Sequence, residues 1–204
     1  ITHCDAVQGF LKVPFQVRSL QADLLSISGH KVHGVKGVGA LYQKNGIHLH
    51  PTFHGGSQER GLRPGTENVP AIAAFGAAVQ TYGSTVRERY QAVTEKKAYL
   101  LKRLQELPNC NIHSVEDASP YIISFSLRPY RSEILLHFLE KREIFVSSGS
   151  ACSKGKNSGV PVLFGATDAE ADSILRVSLS AETPNTALDA LVSSLQEATK
   201  TLLY

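Results

Sequence analysis

Lys31 stands in "SISGHKVHGVKGVGALY", where the apolar run "ADLLSIS" meets a glycine-rich turn. A lysine at the end of a strand admits three readings. The first is a solvated surface residue, the commonest use of lysine. The second is a phosphate ligand, but the nucleotide-loop pattern G-x-x-x-x-G-K-[ST] is not met by these residues. The third is a nucleophilic amine, which attacks an aldehyde once it has lost its proton; partial burial at the carboxyl end of an internal strand favours that loss.

Two residues upstream bear on the choice. Asp5 and Gln8, in "DAVQ", follow another short strand. In α/β folds, ligands gather beyond the carboxyl ends of strands. A pyridoxal phosphate ring needs a carboxylate against its pyridine nitrogen to remain an electron sink, and it gains from a donor at its phenolate oxygen. Asp5 and Gln8 have the chemistry for those two tasks, and Ser28 and His30 can hold a phosphate. Alone, Asp5 reads equally well as a helix N-cap.

The elements that must position these groups follow from pattern. "ADLLSIS" has the unbroken apolar character of a strand buried on both faces, and "GVGALYQ" reads as its neighbour, with Gly37 and Gly39 permitting close backbone approach. Residues 43–68 lack periodicity, and a loop so long is functional or disordered. Within it His48, His50 and His54 suggest a metal, but no cysteine or carboxylate nearby completes a four-ligand set, so no metal is expected. A helix opens at Asn68 with Pro70 in its first turn; "AIAAFGAAVQ" is small and apolar all round and is expected to be buried. Val86, Tyr90, Val93, Leu100, Leu104 and Leu107 then mark a long amphipathic helix stopped by Pro108. The change of pattern near Gly83 divides the chain into 1–83 and 84–204. Beyond it, "NIHSV", "YIISFSL", "EIFVSS" and "ILRVSLS" read as strands, with "RSEILLHFLEK" and "TALDALVSSLQEATKTLL" as helices, an alternation that gives a two-layer α/β unit.

Cys152 lies in "SSGSACSKGKNSG", among small residues and beside Lys154 and Lys156. Positive charge favours the reactive thiolate, and a loop suits a nucleophile that collects a group in one place and delivers it in another. Cys4 and Cys110 have no such setting and read as structural. Arg176, in "ILRVSLS", is costly in a strand interior unless paired, and its fork fits a carboxylate in bidentate fashion. A structural salt bridge is the plainer reading.

Composition sets bounds. At 42% hydrophobic and 19% charged, the chain has the makings of a packed core. A net charge of +3 without a dense basic run gives no footprint for nucleic acid, and no apolar stretch reaches membrane-spanning length. Three widely spaced cysteines do not make a disulfide framework, which points to a reducing cytoplasm. The chain opens on Ile1 and holds no methionine, so it reads as a piece of a longer one.

Taken together and in order, "DAVQ", "SGHK" with "GVGALY", "HGGSQERGLRPGTEN" and "VSSGSAC" resemble the cysteine desulfurases, class V members of the fold-type I pyridoxal phosphate enzymes. The resemblance runs from Cys4 to about Ser180, and "SSGSAC" is similar to the NifS/IscS-like group. It implies an α/β chain: the C-terminal part of a fold-type I large domain, then a smaller α/β C-terminal domain. It implies pyridoxal 5'-phosphate bound to Lys31, with Asp5 on the pyridine nitrogen, Gln8 on the phenolate oxygen, and Ser28 and His30 on the phosphate. Thr66 in "RPGT" would reach the phosphate in the other subunit of a homodimer, with Arg60 and Arg63 supporting that loop. Arg176 would bind the α-carboxylate of L-cysteine, and Cys152 would take its sulfur as a persulfide for a sulfur acceptor or scaffold protein in iron–sulfur cluster assembly. The chain departs from the family at "SAET", where Gly-Arg or Ser-Arg is usual after the arginine strand. Sibling readings are a selenocysteine lyase or an aminotransferase, and the cysteine loop argues against the latter. The rival reading is a non-catalytic fragment, because the family's cofactor site also needs an upstream segment.

Overall fold

The computed structural model describes residues 1–115, 117–148 and 166–202. The segment 149–165, with Cys152, lies outside them. The chain divides into two compact units, Ile1–Tyr90 and Gln91–Tyr204.

The first unit holds a three-stranded sheet in the order β1-β2-β3: His3–Asp5, Leu24–Ser28 and Gly39–Gln43. β1 runs parallel to β2, with Asp5 opposite Ser26; β2 runs antiparallel to β3, with Ser28 opposite Gly39. Parallel pairing puts the carboxyl ends of β1 and β2 on one edge, where Asp5 and Ser28 are the last strand residues. The expectation that β2 is buried on both faces is corrected: only Leu25 is fully buried, and Leu41 of β3 is half exposed.

α1, Val69–Gly83, starts as read from the sequence, with the Asn68 side chain accepting from the Ala71 N–H and a proline in the first turn. Its burial differs from expectation. Ala71, Phe75 and Ala78 form one buried stripe at i, i+4 and i+7, whereas Val69 and Ile72 remain exposed. That spacing makes a single face, and small apolar residues elsewhere on the helix do not create a cover for themselves.

α2, Val86–Gln105, leads into the second unit, where β4 to β7 (Cys110–Ile112, Ile122–Leu127, Ser147–Ser148 and Ile174–Ser178) form an antiparallel sheet in the order β4-β5-β7-β6. α3 (Ser132–Glu140) and α5 (Asn185–Thr201) supply the other layer. Val93, Leu100 and Leu104 of α2 share one core with Phe125 and Leu127 of β5, Leu135 and Leu139 of α3, Leu175 of β7, and Leu188, Val192 and Leu195 of α5. A fully buried Leu or Phe contributes roughly 1.5–3 kcal/mol, so this cluster gives the antiparallel sheet a firm base.

One helix was not legible from periodicity. α4, Asp168–Ser173, is short and polar, and it starts on a capping box: the Thr167 hydroxyl accepts from the Glu170 N–H while the Glu170 carboxylate accepts from the Thr167 N–H. The T-x-x-E spacing was the available signal.

Candidate active site

Beyond β1 the chain turns at once. The Asp5 carboxylate accepts the Val7 N–H at 3.0 Å, and the Ala6 carbonyl accepts from Gly9 and Phe10. This turn brings Gln8 to the carboxyl edge of the sheet. Its amide oxygen accepts a hydrogen bond from Lys12 Nζ at 3.0 Å.

Beyond β2 a single 3-10 turn, Gly29–Lys31, carries the lysine. The Gly29 carbonyl accepts from Val32 and Gly34, and the Gly29 N–H donates to Val38 O, so the turn is tied down from both sides. Gly29 is required by packing: a Cβ there would lie 2.9 Å from Val38 Cγ1 and 3.3 Å from the Phe75 ring. Ser28 Oγ and His30 Nδ1 are hydrogen bonded at 2.8 Å. Lys31 is half-buried. Burial first, and the positive charge of Lys31 second, hold the Lys12 ammonium below the usual lysine range, so the two ammonium groups sense each other.

Asp5, Gln8, Ser28, His30 and Lys31 are thus gathered past the ends of two neighbouring parallel strands. Thr66 is exposed within the irregular stretch that precedes α1. A cavity of about 720 Å³ in the same unit, walled by Phe10, Phe15, Leu25, Ile27 and Tyr42, includes none of the predicted site residues. Among the described residues no cluster of His, Cys, Asp or Glu could hold a metal, and no helix is long and apolar enough to cross a membrane.

The second unit presents Arg176 at the middle of β7, opposite Ser124 of β5 on one side and Ser147 of β6 on the other. Its Nε is buried and has no hydrogen-bond partner among the described residues. A buried N–H left unsatisfied costs about 1–3 kcal/mol, and an acceptor such as a carboxylate would relieve it. β6, which precedes the segment 149–165, pairs with β7, and α4, which follows that segment, runs directly into β7, so the described chain on either side is anchored at the strand that carries Arg176. The downstream anchor is reinforced by the Arg131–Asp172 ion pair at 2.7 Å. Of the other cysteines, Cys4 is half-buried, and burial pushes the Cys110 thiol up to about 11, which suppresses its thiolate. Lys12 was missed by the sequence reading; its place four residues after Gln8 was the only cue.

The aminotransferase class-V family matches residues 1–191. The chain belongs to that family. It is 34% identical over 204 residues to the cysteine desulfurase IscS of Clostridium botulinum, covering 97% of this chain and 51% of the relative. Among solved structures, a NifS-like protein from Rickettsia africae superimposes with a TM-score of 0.87 at 32% identity, over 98% of this chain and 53% of that one. SspA in complex with cysteine matches with a TM-score of 0.69 at 32% identity, over 89% of this chain and 51% of the other. The α/β architecture expected for part of a fold-type I enzyme is therefore the one observed. The chain spans about half the length of the curated relatives it matches.

Proposed function

We propose that this chain supplies the lysine, cysteine and arginine machinery of a pyridoxal-phosphate-dependent cysteine desulfurase that converts L-cysteine to L-alanine. The observation that carries the reading is the grouping of Asp5, Gln8, Ser28, His30 and Lys31 past the ends of β1 and β2. The donor set fits the cofactor: one carboxylate for a pyridinium nitrogen, one amide for a phenolate oxygen, a hydroxyl–imidazole pair for a phosphate, and an amine for the carbonyl carbon. When bound, pyridoxal phosphate supplies an electron sink for charge developing at the substrate α-carbon.

The chain's own residues do the rest. Asp5 keeps its partner nitrogen protonated. Lys31 would hold the cofactor's carbonyl carbon, and its amine would move a proton at the substrate α-carbon as base and then acid. Arg176 holds the substrate carboxylate with a donor that has no partner among the described residues. The Cys152 thiolate attacks the substrate sulfur; the carbon–sulfur bond breaks, a sulfur–sulfur bond forms, and protonation at the carbon leaves alanine and a persulfide on Cys152. That sulfur then passes to an acceptor thiol, on a scaffold protein for iron–sulfur cluster or thio-cofactor assembly. The whole protein acts as a homodimer in which Thr66 completes the phosphate site of the partner subunit.

The test uses the full-length protein that contains this chain. After L-cysteine is added, alanine should form and one extra sulfur atom should appear on the peptide containing Cys152. Cys152→Ser should keep the visible cofactor band and lose the persulfide. Sulfide release at the native rate by that variant would overturn the assignment.

A further inference from the structure

The bond between Lys12 and Gln8 has a consequence for the amide. A lysine ammonium can only donate, so the end of Gln8 that meets it must be the carbonyl oxygen. The amide orientation is thereby fixed by chemistry, and its two N–H donors are left pointing away from Lys12. The backbone supports the pairing. Phe10 donates to Ala6 O at 2.8 Å and Val13 to Gly9 O at 2.8 Å, two successive hydrogen-bonded turns that fold the chain back between positions 8 and 12. Leu11, at φ 55, is the positive-φ position between them.

We infer that Lys12 is a positioning residue for the cofactor site: by holding the amide oxygen of Gln8, it presents the amide N–H donors to the ring's phenolate oxygen. The inference rests on the function proposed above, since it takes Gln8 as the phenolate ligand. Without Lys12 the amide is free to rotate by half a turn and offer its oxygen to an anionic oxygen, which is repulsive. The second effect is electrostatic. Lys12 lies close enough to Lys31 for their charges to couple. Removing Lys12 takes a positive charge away from the cofactor's surroundings, which favours the protonated form of the chromophore when it is bound.

The test is a double-mutant cycle on the full-length protein, reading pyridoxal phosphate affinity and the pH midpoint of the visible band. Lys12→Met should weaken affinity roughly tenfold, the scale of a hydrogen bond to a charged group, and should raise the pH midpoint. In a Gln8→Leu background the same change should alter affinity by less than about twofold, because the group it positions is gone. Lys12→Ala, read through the same cycle, guards against a folding defect particular to one substitution, with melting temperature as the control. An unchanged affinity in both Lys12 variants, or an equal loss in both backgrounds, overturns the positioning role. A wild-type protein that binds no pyridoxal phosphate at all would instead sink the functional reading beneath it.

Discussion

Gly39→Ala is a sharp probe of how the sheet positions Lys31. A Cβ at residue 39 would lie 2.5 Å from the Ile27 carbonyl oxygen. Carbon and oxygen normally approach to about 3.3 Å, so β2 and β3 must part by about 0.8 Å. Neither atom belongs to a flexible side chain, so the strain cannot be absorbed by a rotamer change. It falls where Ser28 pairs with Gly39 and where the Gly29 N–H reaches Val38 O at 2.9 Å, at the root of the lysine turn. Overpacking of this kind costs about 1–3 kcal/mol. If that cost is expressed at the cofactor site, affinity falls by about five- to 150-fold, at about 1.4 kcal/mol per tenfold. Displacing a reactive group by about 1 Å can cost about a hundredfold in rate. In the full-length protein, equilibrium unfolding and titration of the visible band would measure both. Stability and affinity both within twofold of wild type would refute the claim that the β2–β3 contact sets the position of Lys31.

Three further outcomes are expected. Thr167→Ala removes the cap of α4 and should lower stability by about 1 kcal/mol, whereas Thr167→Ser should not; equal melting temperatures for the two would show that the cap does not matter. His113 Nε2 lies 2.8 Å from the hydroxyl of the fully buried Ser126, and burial lowers its pKa, with the Glu170 carboxylate opposing. The unfolded chain then binds the proton more tightly, so stability is full above about pH 6.5 and is lost on acidification; His113→Asn should flatten that acid limb, and an unaltered slope would contradict the assignment. Mixing full-length Lys31→Ala and Thr66→Ala proteins should restore up to about a quarter of wild-type activity if chains pair at random and each site borrows from both subunits, and no recovery in confirmed mixed dimers would exclude sharing.

Much of the candidate site is legible in the sequence because its groups are local. Asp5 with Gln8, and Ser28 with His30 and Lys31, each occupy one short turn after a strand, and the apolar run that ends at Ser28 marks where the second turn begins. Features set by distant packing were not legible in this way. The apolar composition of α1 predicts burial, yet composition does not say what covers a face, and only the Ala71, Phe75 and Ala78 stripe is covered. β4 was placed over "NIHSV" but stops at Ile112, since the His113 and Ser114 N–H groups both turn to the Ser124 carbonyl. α4 escaped notice because six residues, four of them polar and two alanine, carry no hydrophobic period; its cap was the only trace. Apart from its spacing from Gln8, nothing in the sequence pattern marks Lys12, whose use comes from its bond to Gln8.

The central claim is that Lys31 is the residue that joins the cofactor. Full-length protein incubated with pyridoxal phosphate, reduced with borohydride and digested should yield one modified peptide, with the pyridoxyl group on the Nζ of Lys31. Lys31→Ala should carry no label at comparable cofactor concentration. Labelling centred on Lys12 or on scattered surface lysines, with Lys31 unmodified, would contradict the account.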